Sequence, residues 1–196
     1  MPTAFIDLPL QADAPRKRWT RAQYEEVSNA TLGHERIELI EGELISKMGK
    51  KGPHVTTLAR LHGWLLQVFG FGFVLQEAPI DVAPEDNPTS EPEPDLIVTR
   101  QDLGNFREFN PQPGDLRLVV EISDTTLGFD LKVKARLYAR AGIMEYWVLD
   151  VSGRRMIVHR EPQEGQYRSV TSYEEHEIVA PLAAPTAELR PADLFL

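Results

Sequence analysis

Residues 116–150, LRLVVEISDTTLGFDLKVKARLYARAGIMEYWVLD, decide the fold of this chain. Leu116–Ser123 and residues 144–150 are rich in the branched and aromatic side chains that favour strands. Residues 130–141, between them, carry apolar side chains at helical spacing, and Gly142 supplies the residue that commonly ends a helix. The stretch therefore predicts a strand, a helix and a second strand in succession.

The rest of the chain adds further strands and helices to this unit. Its patterns predict a short helix capped by Thr20 that runs to about Ser28, a hairpin over 36–46 that turns at Glu41-Gly42, a loop over 47–53, an amphipathic helix over 54–69, strands over 71–82, 95–99 and 156–160, a loop over 101–114 and a hairpin within 167–179. Together these elements predict an α/β (α+β) fold, in which helices flank a mixed central β-sheet and a C-terminal β-hairpin follows.

The composition is that of a globular protein without cysteine. Its 196 residues (22.2 kDa) are 42% hydrophobic and 26% charged, which are ordinary values for one folded domain. Residues 1–18 hold three prolines and the cluster Arg16-Lys17-Arg18, so we expect a flexible N-terminal arm before a single domain over 19–196. The lack of cysteine excludes disulfides, thiolate metal sites and cysteine nucleophiles.

No targeting or membrane-spanning segment is predicted. The first residues lack a basic segment followed by an apolar one, which a secretory signal requires. The longest uncharged run, 61–76, is shorter than the roughly 20 apolar residues that a membrane span needs. We therefore expect a cytoplasmic protein with no membrane partner.

Charge is distributed unevenly along the chain. The formal net charge of −9 at first argues against a polyanionic partner. Residues 77–95 carry seven acidic and no basic side chains, whereas residues 127–160 carry seven basic against three acidic ones. The basic middle segment indicates either an ordinary solvated helix face or a surface that faces nucleic acid.

Two carboxylates and one lysine form the candidate catalytic group. Asp95 opens a short strand directly after Pro94, and Glu121 lies late in an apolar strand, where an acidic side chain is unfavourable without a partner or a cation. Carboxylates brought together from two strands repel each other, and a hard divalent cation such as Mg²⁺ or Mn²⁺ relieves that repulsion. A nearby ammonium, such as that of Lys134, stabilises charge on a phosphoryl transition state. These residues indicate metal-assisted phosphodiester hydrolysis.

The segments that carry these residues resemble a known family. Pro94-Asp95, the sequence VEIS at 120–123, DLKVKARLYARAGIMEYWVLD at 130–150 and ELIEGEL at 38–44 are similar to the Uma-type restriction endonucleases, also called domain of unknown function 820. That family belongs to the PD-(D/E)XK nuclease superfamily. The resemblance implies a restriction-endonuclease-like core over about 36–150 and a metal-dependent enzyme that cleaves DNA.

The resemblance also implies roles for individual residues. Asp95 and Glu121 match the metal ligands. The superfamily places a lysine two residues after the acidic strand residue, but this sequence has Ser123 there. Lys134 on the following helix is the expected replacement, whereas Lys132 points roughly 160° away around a regular helix.

Several residues near this group are candidates for accessory roles. Asp130 and Tyr138 share a helix face with Lys134 at i, i+4 and i+8, and the full accessory set is His54, Glu38, Ser123, Asp130 and Tyr138. Each also has an ordinary structural interpretation, such as a helix start for His54 or an exposed hairpin carboxylate for Glu38. The scattered histidines have no zinc-ligand spacing, and no phosphate-binding or dinucleotide-binding glycine motif is present.

The sequence leaves three function classes open. The first is a Mg²⁺- or Mn²⁺-dependent DNA endonuclease, with Asp95, Glu121 and Lys134 as catalytic residues and a homodimer that cuts both strands. The second is a nucleic-acid or protein-binding module that keeps the fold without the chemistry, an alternative favoured by Ser123. The third is a metal-dependent phosphohydrolase that acts on RNA or small phosphoesters.

Overall fold

The structure is a computed structural model that describes residues 17–30, 37–47 and 52–195. Its helices and strands are α1 (Arg21–Ala30), β1 (Ile37–Ile40), β2 (Glu43–Ser46), α2 (Gly52–Phe69), β3 (Val74–Gln76), β4 (Leu96–Thr99), β5 (Leu116–Ser123), α3 (127–140), β6 (Glu145–Asp150), β7 (Arg155–Gln163) and β8 (Gln166–Tyr173). Helix α3 is composite, with α-helical turns at Leu127–Phe129 and Ala135–Arg140 on either side of a π-helical segment, Asp130–Lys134.

Six of the strands form one mixed sheet in the order β3-β4-β5-β6-β7-β8. Neighbouring strands are antiparallel except β5 and β6, which run in parallel because α3 crosses over between them. Strands β1 and β2 form a separate hairpin, which reaches the loop before β4 through a backbone bridge between Leu39 and Glu91. This bridge brings the first hairpin to the end of the sheet where β4 begins.

The sheet is covered on both faces. On one face, α2 packs Leu58, Leu61 and Leu65 against the strands, and residues near the C-terminus pack beside them. On the other face, α3 packs Leu137 and Tyr138 against the strands. Strands β5 and β6 are therefore buried on both sides, so any charged side chain on them lies inside the protein.

The fold class predicted from the sequence is confirmed: helices flank a mixed central sheet. Residues predicted to cap a helix or to turn the chain are also found in these roles. The Thr20 hydroxyl accepts a hydrogen bond from the Gln23 N–H at 3.3 Å and so caps α1. Gly42 (φ +80°) turns the first hairpin and Gly142 (φ +74°) follows the end of α3, both in the left-handed region that glycine tolerates.

The strand predicted over 71–82 is wrong in extent. Only Val74–Gln76 pairs with β4, because Phe71–Phe73 forms a 3₁₀ turn. At the other end, Glu77 has a φ of 53°, which takes the backbone out of the extended region.

Two further elements differ from the sequence prediction. The C-terminal hairpin pairs β7 with β8 across the turn at Glu164-Gly165 and does not lie within 167–179. Helix α3 begins at Leu127 and contains a π-helical segment, whereas a regular helix over 130–141 was predicted. Neither the position of the hairpin turn nor the π-helical segment leaves a periodic pattern in the sequence, so hydrophobic spacing does not predict them.

Parts of some predictions lie outside the described residues: 1–16 of the arm, Arg36 of the first hairpin and 48–51 of the following loop. The division into an arm and one domain over 19–196 stays a prediction. No helix among the described residues is long and apolar enough to cross a membrane.

His159 is a buried titratable residue within the aromatic part of the core. Its ring lies 5.2 Å from that of Tyr146 and 5.5 Å from that of Tyr167, and the side chain is 4% exposed. Nδ1 has no hydrogen-bond partner in the described structure. Burial lowers the pKa of His159 from 6.5 to about 4, so the folded protein keeps this imidazole neutral at pH 7.

We expect His159 to make stability depend on pH below neutrality. Between pH 6.5 and 4 the unfolded chain binds a proton at this histidine and the folded chain does not, so the free energy of unfolding falls as pH falls, by about 3 kcal/mol at this site. Urea titrations of the wild type and His159→Phe at pH 7 and pH 4.5 measure the difference. Parallel losses of stability in the two proteins would contradict the expectation.

Candidate active site

The pairing of β4 with β5 brings the two predicted metal ligands together. Leu96 pairs with Val120, so one step further along the antiparallel ladder Asp95 lies opposite Glu121. Oδ2 of Asp95 accepts a hydrogen bond from the Ile122 N–H at 2.8 Å, which fixes the carboxylate at the end of the sheet. Both acidic side chains are almost completely buried.

Lys134 lies between two carboxylates. Its Nζ is 2.7 Å from Oε1 of Glu121 and 2.7 Å from Oε1 of Glu38, and the lysine is as deeply buried as its partners. The exposed Lys132, by contrast, lies on the outer face of the helix. The structure places the Lys134 ammonium beside Glu121. That Lys134 replaces the missing strand lysine stays a prediction.

The π-helical segment of α3 ends at this lysine. Segments of this kind place one extra residue in a helical turn and are frequent at functional sites. Here the segment runs from Asp130 to Lys134 and buries both side chains toward β5. One turn further, Tyr138 also faces the strand, and its hydroxyl donates to Oε1 of Glu121 at 3.0 Å. Oε1 of Glu121 is thus held by two donors from α3.

Glu38 comes from the first hairpin, a part of the chain remote in sequence. Its Oε1 pairs with Lys134, and its Oε2 accepts a hydrogen bond from the Glu93 N–H at 3.1 Å. The side chain is buried, so its interpretation as an exposed hairpin carboxylate is wrong. The bridge between β1 and the loop before β4 provides the reason, because it carries this carboxylate to the sheet end.

Ser123 and Asp130 connect strand β5 to helix α3. Oδ2 of Asp130 accepts hydrogen bonds from the Ser123 hydroxyl at 2.5 Å and from the Thr126 hydroxyl at 2.7 Å. Ser123, at the position where the sequence resemblance led us to look for a lysine, is therefore used here to hold the helix. Burial raises the pKa of Asp130, and Lys134 and the two hydroxyls oppose that shift.

His54 approaches the site from the other layer. It lies in the first turn of α2, and its Nε2 is 3.6 Å from Oδ1 of Asp95. That nitrogen is buried and has no hydrogen-bond partner within the described structure. An unsatisfied imidazole nitrogen that faces a carboxylate is costly, and a bound cation, a water molecule or a proton would satisfy it.

The electrostatics of the site favour cations. Burial raises the pKa of Glu121, Lys134 opposes this shift, and Asp130, Asp95 and Glu38 add to it. Burial alone would lower the pKa of Lys134, but Glu121 and Glu38 outweigh it and hold that pKa well above its ordinary range. Lys134 is thus a permanent cation at neutral pH and cannot serve as a proton acceptor.

These side chains line a cavity of about 110 Å³. Its walls also include Asp124, Thr125 and Thr126 from the loop after β5, and Ser46 and Lys47 from the end of the first hairpin. The volume is large enough for several water molecules, an ion or a phosphate group. The cavity can therefore accommodate a small, charged group with several oxygen atoms, such as a phosphate.

Among the described residues, no set of three or more His, Asp or Glu side chains stands in metal-binding geometry. Lys134 occupies the position between Glu38 and Glu121 that a cation would otherwise take. Asp95, Glu121 and the unsatisfied Nε2 of His54 supply oxygen and nitrogen donors at this end of the sheet, but as placed they do not form a three-ligand site. Sequence reasoning missed the Thr126 hydroxyl, because a lone threonine in a loop gives no pattern that distinguishes it from its neighbours.

Two acidic side chains and a lysine thus lie at one strand end of a mixed sheet flanked by helices, the arrangement that the sequence led us to expect of a restriction-endonuclease-like fold. The chain belongs to the Uma2 family, described as "Putative restriction endonuclease", whose model matches residues 22–192. The family resemblance drawn from the sequence is thereby confirmed.

A solved structure with this fold supports the assignment. It is described as "a putative nuclease belonging to DUF820 from Anabaena variabilis", and it matches with a TM-score of 0.63 and 17% identity over 81% of this chain and 89% of that chain. At that identity the likeness shows the shared fold. A search of the curated proteins found no match.

Lys134 and Lys132 offer a matched test of the buried charge cluster. Lys134→Met leaves Glu38 and Glu121 buried without their cation, and we expect it to lower the free energy of unfolding by about 3–5 kcal/mol. Lys132→Met, on the exposed face of the same helix, should change it by less than about 0.5 kcal/mol. Chemical denaturation of both variants provides the measurement, and equal small effects would contradict a central role for the lysine.

Proposed function

We propose that this chain is a metal-dependent DNA endonuclease of the PD-(D/E)XK superfamily, in which Asp95 and Glu121 hold Mg²⁺ or Mn²⁺ and Lys134 stabilises charge on the scissile phosphate. The observation that carries the proposal is the meeting of Asp95 and Glu121 at one strand end, with the Lys134 ammonium 2.7 Å from Glu121. Membership of a family described as restriction endonucleases supports DNA as the substrate.

The types of donor atom at the site suit a hard divalent cation, whereas their placement in the described structure does not form a three-ligand site. Oε1 of Glu121 accepts hydrogen bonds from Lys134 and Tyr138. Oδ2 of Asp95 accepts a hydrogen bond from the Ile122 N–H. In each carboxylate, a protein donor therefore fixes one oxygen and so orients the whole group. The buried Nε2 of His54 adds a nitrogen donor that lacks a partner. When bound, Mg²⁺ or Mn²⁺ supplies Lewis-acid stabilisation of the charge that develops on the phosphodiester.

The side chains of the site divide the remaining tasks. Lys134 has three N–H donors, and two of them are directed to Glu38 and Glu121, which leaves a third for an oxygen inside the cavity that the lysine lines. Because the ammonium is already fixed and desolvated, it stabilises a phosphate without reorganising. Glu38 and Tyr138 keep Lys134 and Glu121 in place, and Asp130 with Ser123 ties α3 to β5.

The basic middle segment contributes less to DNA contact than its charge count indicates. Five of its seven cations are paired: Lys134 with Glu38 and Glu121, Arg140 with Glu41 and Asp86, Arg154 with Glu175, Arg155 with Asp150, and Arg160 with Glu145. Within 127–160, Lys132 and Arg136 on the outer face of α3 are the basic side chains that have no ion pair in the described structure. We assign phosphate contacts to these two residues.

The homodimer predicted from the sequence stays a prediction. The two alternative functions remain distinguishable by experiment. A binding module would bind DNA and leave it intact, and a phosphohydrolase would cleave RNA or small phosphoesters in preference to plasmid DNA.

Plasmid cleavage with Mg²⁺ or Mn²⁺ tests the proposed function. Asp95→Asn and Glu121→Gln keep the size of each side chain and remove its charge, and we expect each to lower cleavage at least about 10²-fold. Glu164→Gln, at the exposed β7–β8 turn, is the matched control and should cleave as the wild type does. Full activity in both site variants would exclude this site, and wild-type protein that is inactive with both ions and every substrate would favour the binding module.

The role of His54 as a metal ligand has its own test. Mn²⁺ binding, followed by electron paramagnetic resonance without substrate, should weaken at least about tenfold in His54→Ala, the range seen when a supporting group around a metal is lost. His62→Ala, two turns further along α2, should bind Mn²⁺ as the wild type does. Unchanged affinity in His54→Ala would remove His54 from the ligand set and leave the two carboxylates.

A further inference from the structure

An apolar groove lies between α3 and the β7–β8 hairpin. Leu131 on the helix and Ile157, Tyr167 and Val170 on the hairpin supply its apolar walls, and its volume is about 550 Å³. That volume lies in the range of small-molecule binding sites. None of the residues that line the groove also lines the cavity of the candidate active site. The groove is therefore a second place in the molecule where a ligand fits.

Two aromatic rings face each other in the groove wall. The β7–β8 ladder is interrupted at Glu161, whose φ is 58°, and at Arg168. Beyond the interruption, Tyr167 lies on the same side of the sheet as His159, and their ring centroids are 5.5 Å apart. Flat aromatic and apolar walls of this kind suit a flat aromatic ligand.

His159 also contributes a polar atom without a partner. The side chain is 4% exposed and lines the groove, and its Nδ1 has no hydrogen-bond partner in the described structure. A buried ring nitrogen without a hydrogen bond carries a cost in free energy, and a ligand that bonds to it removes that cost. The groove therefore favours an aromatic ring with polar atoms on its edge over a purely apolar one.

Two cations, Lys132 and Arg136, line the same groove from α3. Both are exposed, lie one helical turn apart and have no ion pair among the described residues. Nε of Arg136 donates to the Lys132 carbonyl at 2.9 Å, which leaves the terminal N–H groups of the guanidinium for another acceptor. Like charges at this spacing repel each other, and a bound anion relieves the repulsion. The assignment of both cations to phosphate rests on the proposed function.

We propose that this groove binds one nucleotide, with its base against Tyr167 and His159 and its phosphate on Lys132 and Arg136. The flat apolar walls select the ring, the His159 nitrogen selects a ring with polar edge atoms, and the adjacent cations select a phosphate attached to it. The nucleotide is either free or part of a nucleic-acid strand, in which case its base leaves the stack to enter the groove.

Other occupants satisfy fewer of these groups. An apolar ligand would leave the two cations and the His159 nitrogen without partners. Inorganic phosphate would neutralise the cations and leave the apolar walls exposed to water. A nucleotide has an aromatic ring, polar edge atoms and a phosphate in one molecule.

Isothermal titration calorimetry of the full chain in EDTA measures nucleotide binding without cleavage. The ligands are the deoxynucleoside monophosphates of adenine, guanine, cytosine and thymine, the matching nucleosides, and inorganic phosphate. We expect at least one nucleotide to bind with a Kd of about 1 mM or lower. It should bind at least about tenfold more tightly than its nucleoside or phosphate alone, because charge-assisted hydrogen bonds to the two cations add to the contacts of the base.

A tryptophan at Val170 tests the position of the base. Val170 is 54% exposed and pairs with His159, so the two share the groove side of the hairpin. Val170→Trp should fill the groove and weaken nucleotide binding at least tenfold. Thr171→Trp is the matched control, because Thr171 pairs with Val158 on the opposite face of the sheet and should leave binding unchanged.

Two further variants test the polar contacts. His159→Phe keeps a ring and removes the nitrogen, and it should weaken nucleotide binding about 2–10-fold, the range for one neutral hydrogen bond. Arg136→Met should weaken nucleotide binding about tenfold and leave nucleoside binding unchanged. Arg107→Met, at an exposed arginine outside the groove, should bind the nucleotide as the wild type does.

A short single strand of the preferred nucleotide distinguishes the two sources of the ligand. A strand that binds at least tenfold more tightly than the mononucleotide, and that also weakens in Val170→Trp, supports nucleic acid. Equal affinities that weaken in Val170→Trp support a free nucleotide. Circular dichroism establishes that the variants fold.

Three results would overturn the proposal: no binding of any nucleotide, unchanged affinity in Val170→Trp, or phosphate that binds as tightly as the nucleotides. Plasmid cleavage separates this inference from the proposed nuclease activity. A chain that cleaves plasmid with Mg²⁺ and binds no nucleotide in EDTA contradicts the groove alone. A chain that binds a nucleotide in the groove and cleaves no substrate keeps the groove and contradicts the nuclease activity.

Discussion

The buried ion pair between Lys134 and Glu121 is the interaction on which the site depends. Glu121 lies on a central strand covered on both faces, so its charge needs a cation inside the protein. Lys134 supplies that cation, and Glu38 accepts its second hydrogen bond. An ammonium shared by two carboxylates still leaves the group net negative.

The rest of the structure brings these three side chains together from distant parts of the chain. The parallel pairing of β5 with β6 requires a crossover helix, and α3, which carries Lys134, is that helix. The antiparallel pairing of β4 with β5 places Asp95 opposite Glu121. The first hairpin reaches the same sheet end through one backbone bridge and adds Glu38. The sheet topology thus brings the charged side chains of the candidate site together.

Much of the sheet could be predicted because its strands and helices are long and strongly patterned. Leu116–Ser123 and Glu145–Asp150 are apolar throughout, as strands buried on both faces must be, and the helix between them has a clear stop at Gly142. The short strand Val74–Gln76 was overestimated, because the positive φ of Glu77 that ends it is set by tertiary contacts and leaves no mark in the composition. The π-helical segment was not predicted, because it too leaves no pattern in the sequence.

The sequence by itself determined the fold class and the family, and it singled out Asp95, Glu121 and Lys134 as candidate residues. Those conclusions follow from periodicity and from motifs with fixed spacing, which are local properties of a chain. Only the tertiary structure decided that Glu38 belongs to the site, that most of the basic middle segment is neutralised by ion pairs, and that an apolar groove lies between α3 and the β7–β8 hairpin. Each of these depends on which distant segments meet, and that is settled by how the two helical layers close over the sheet.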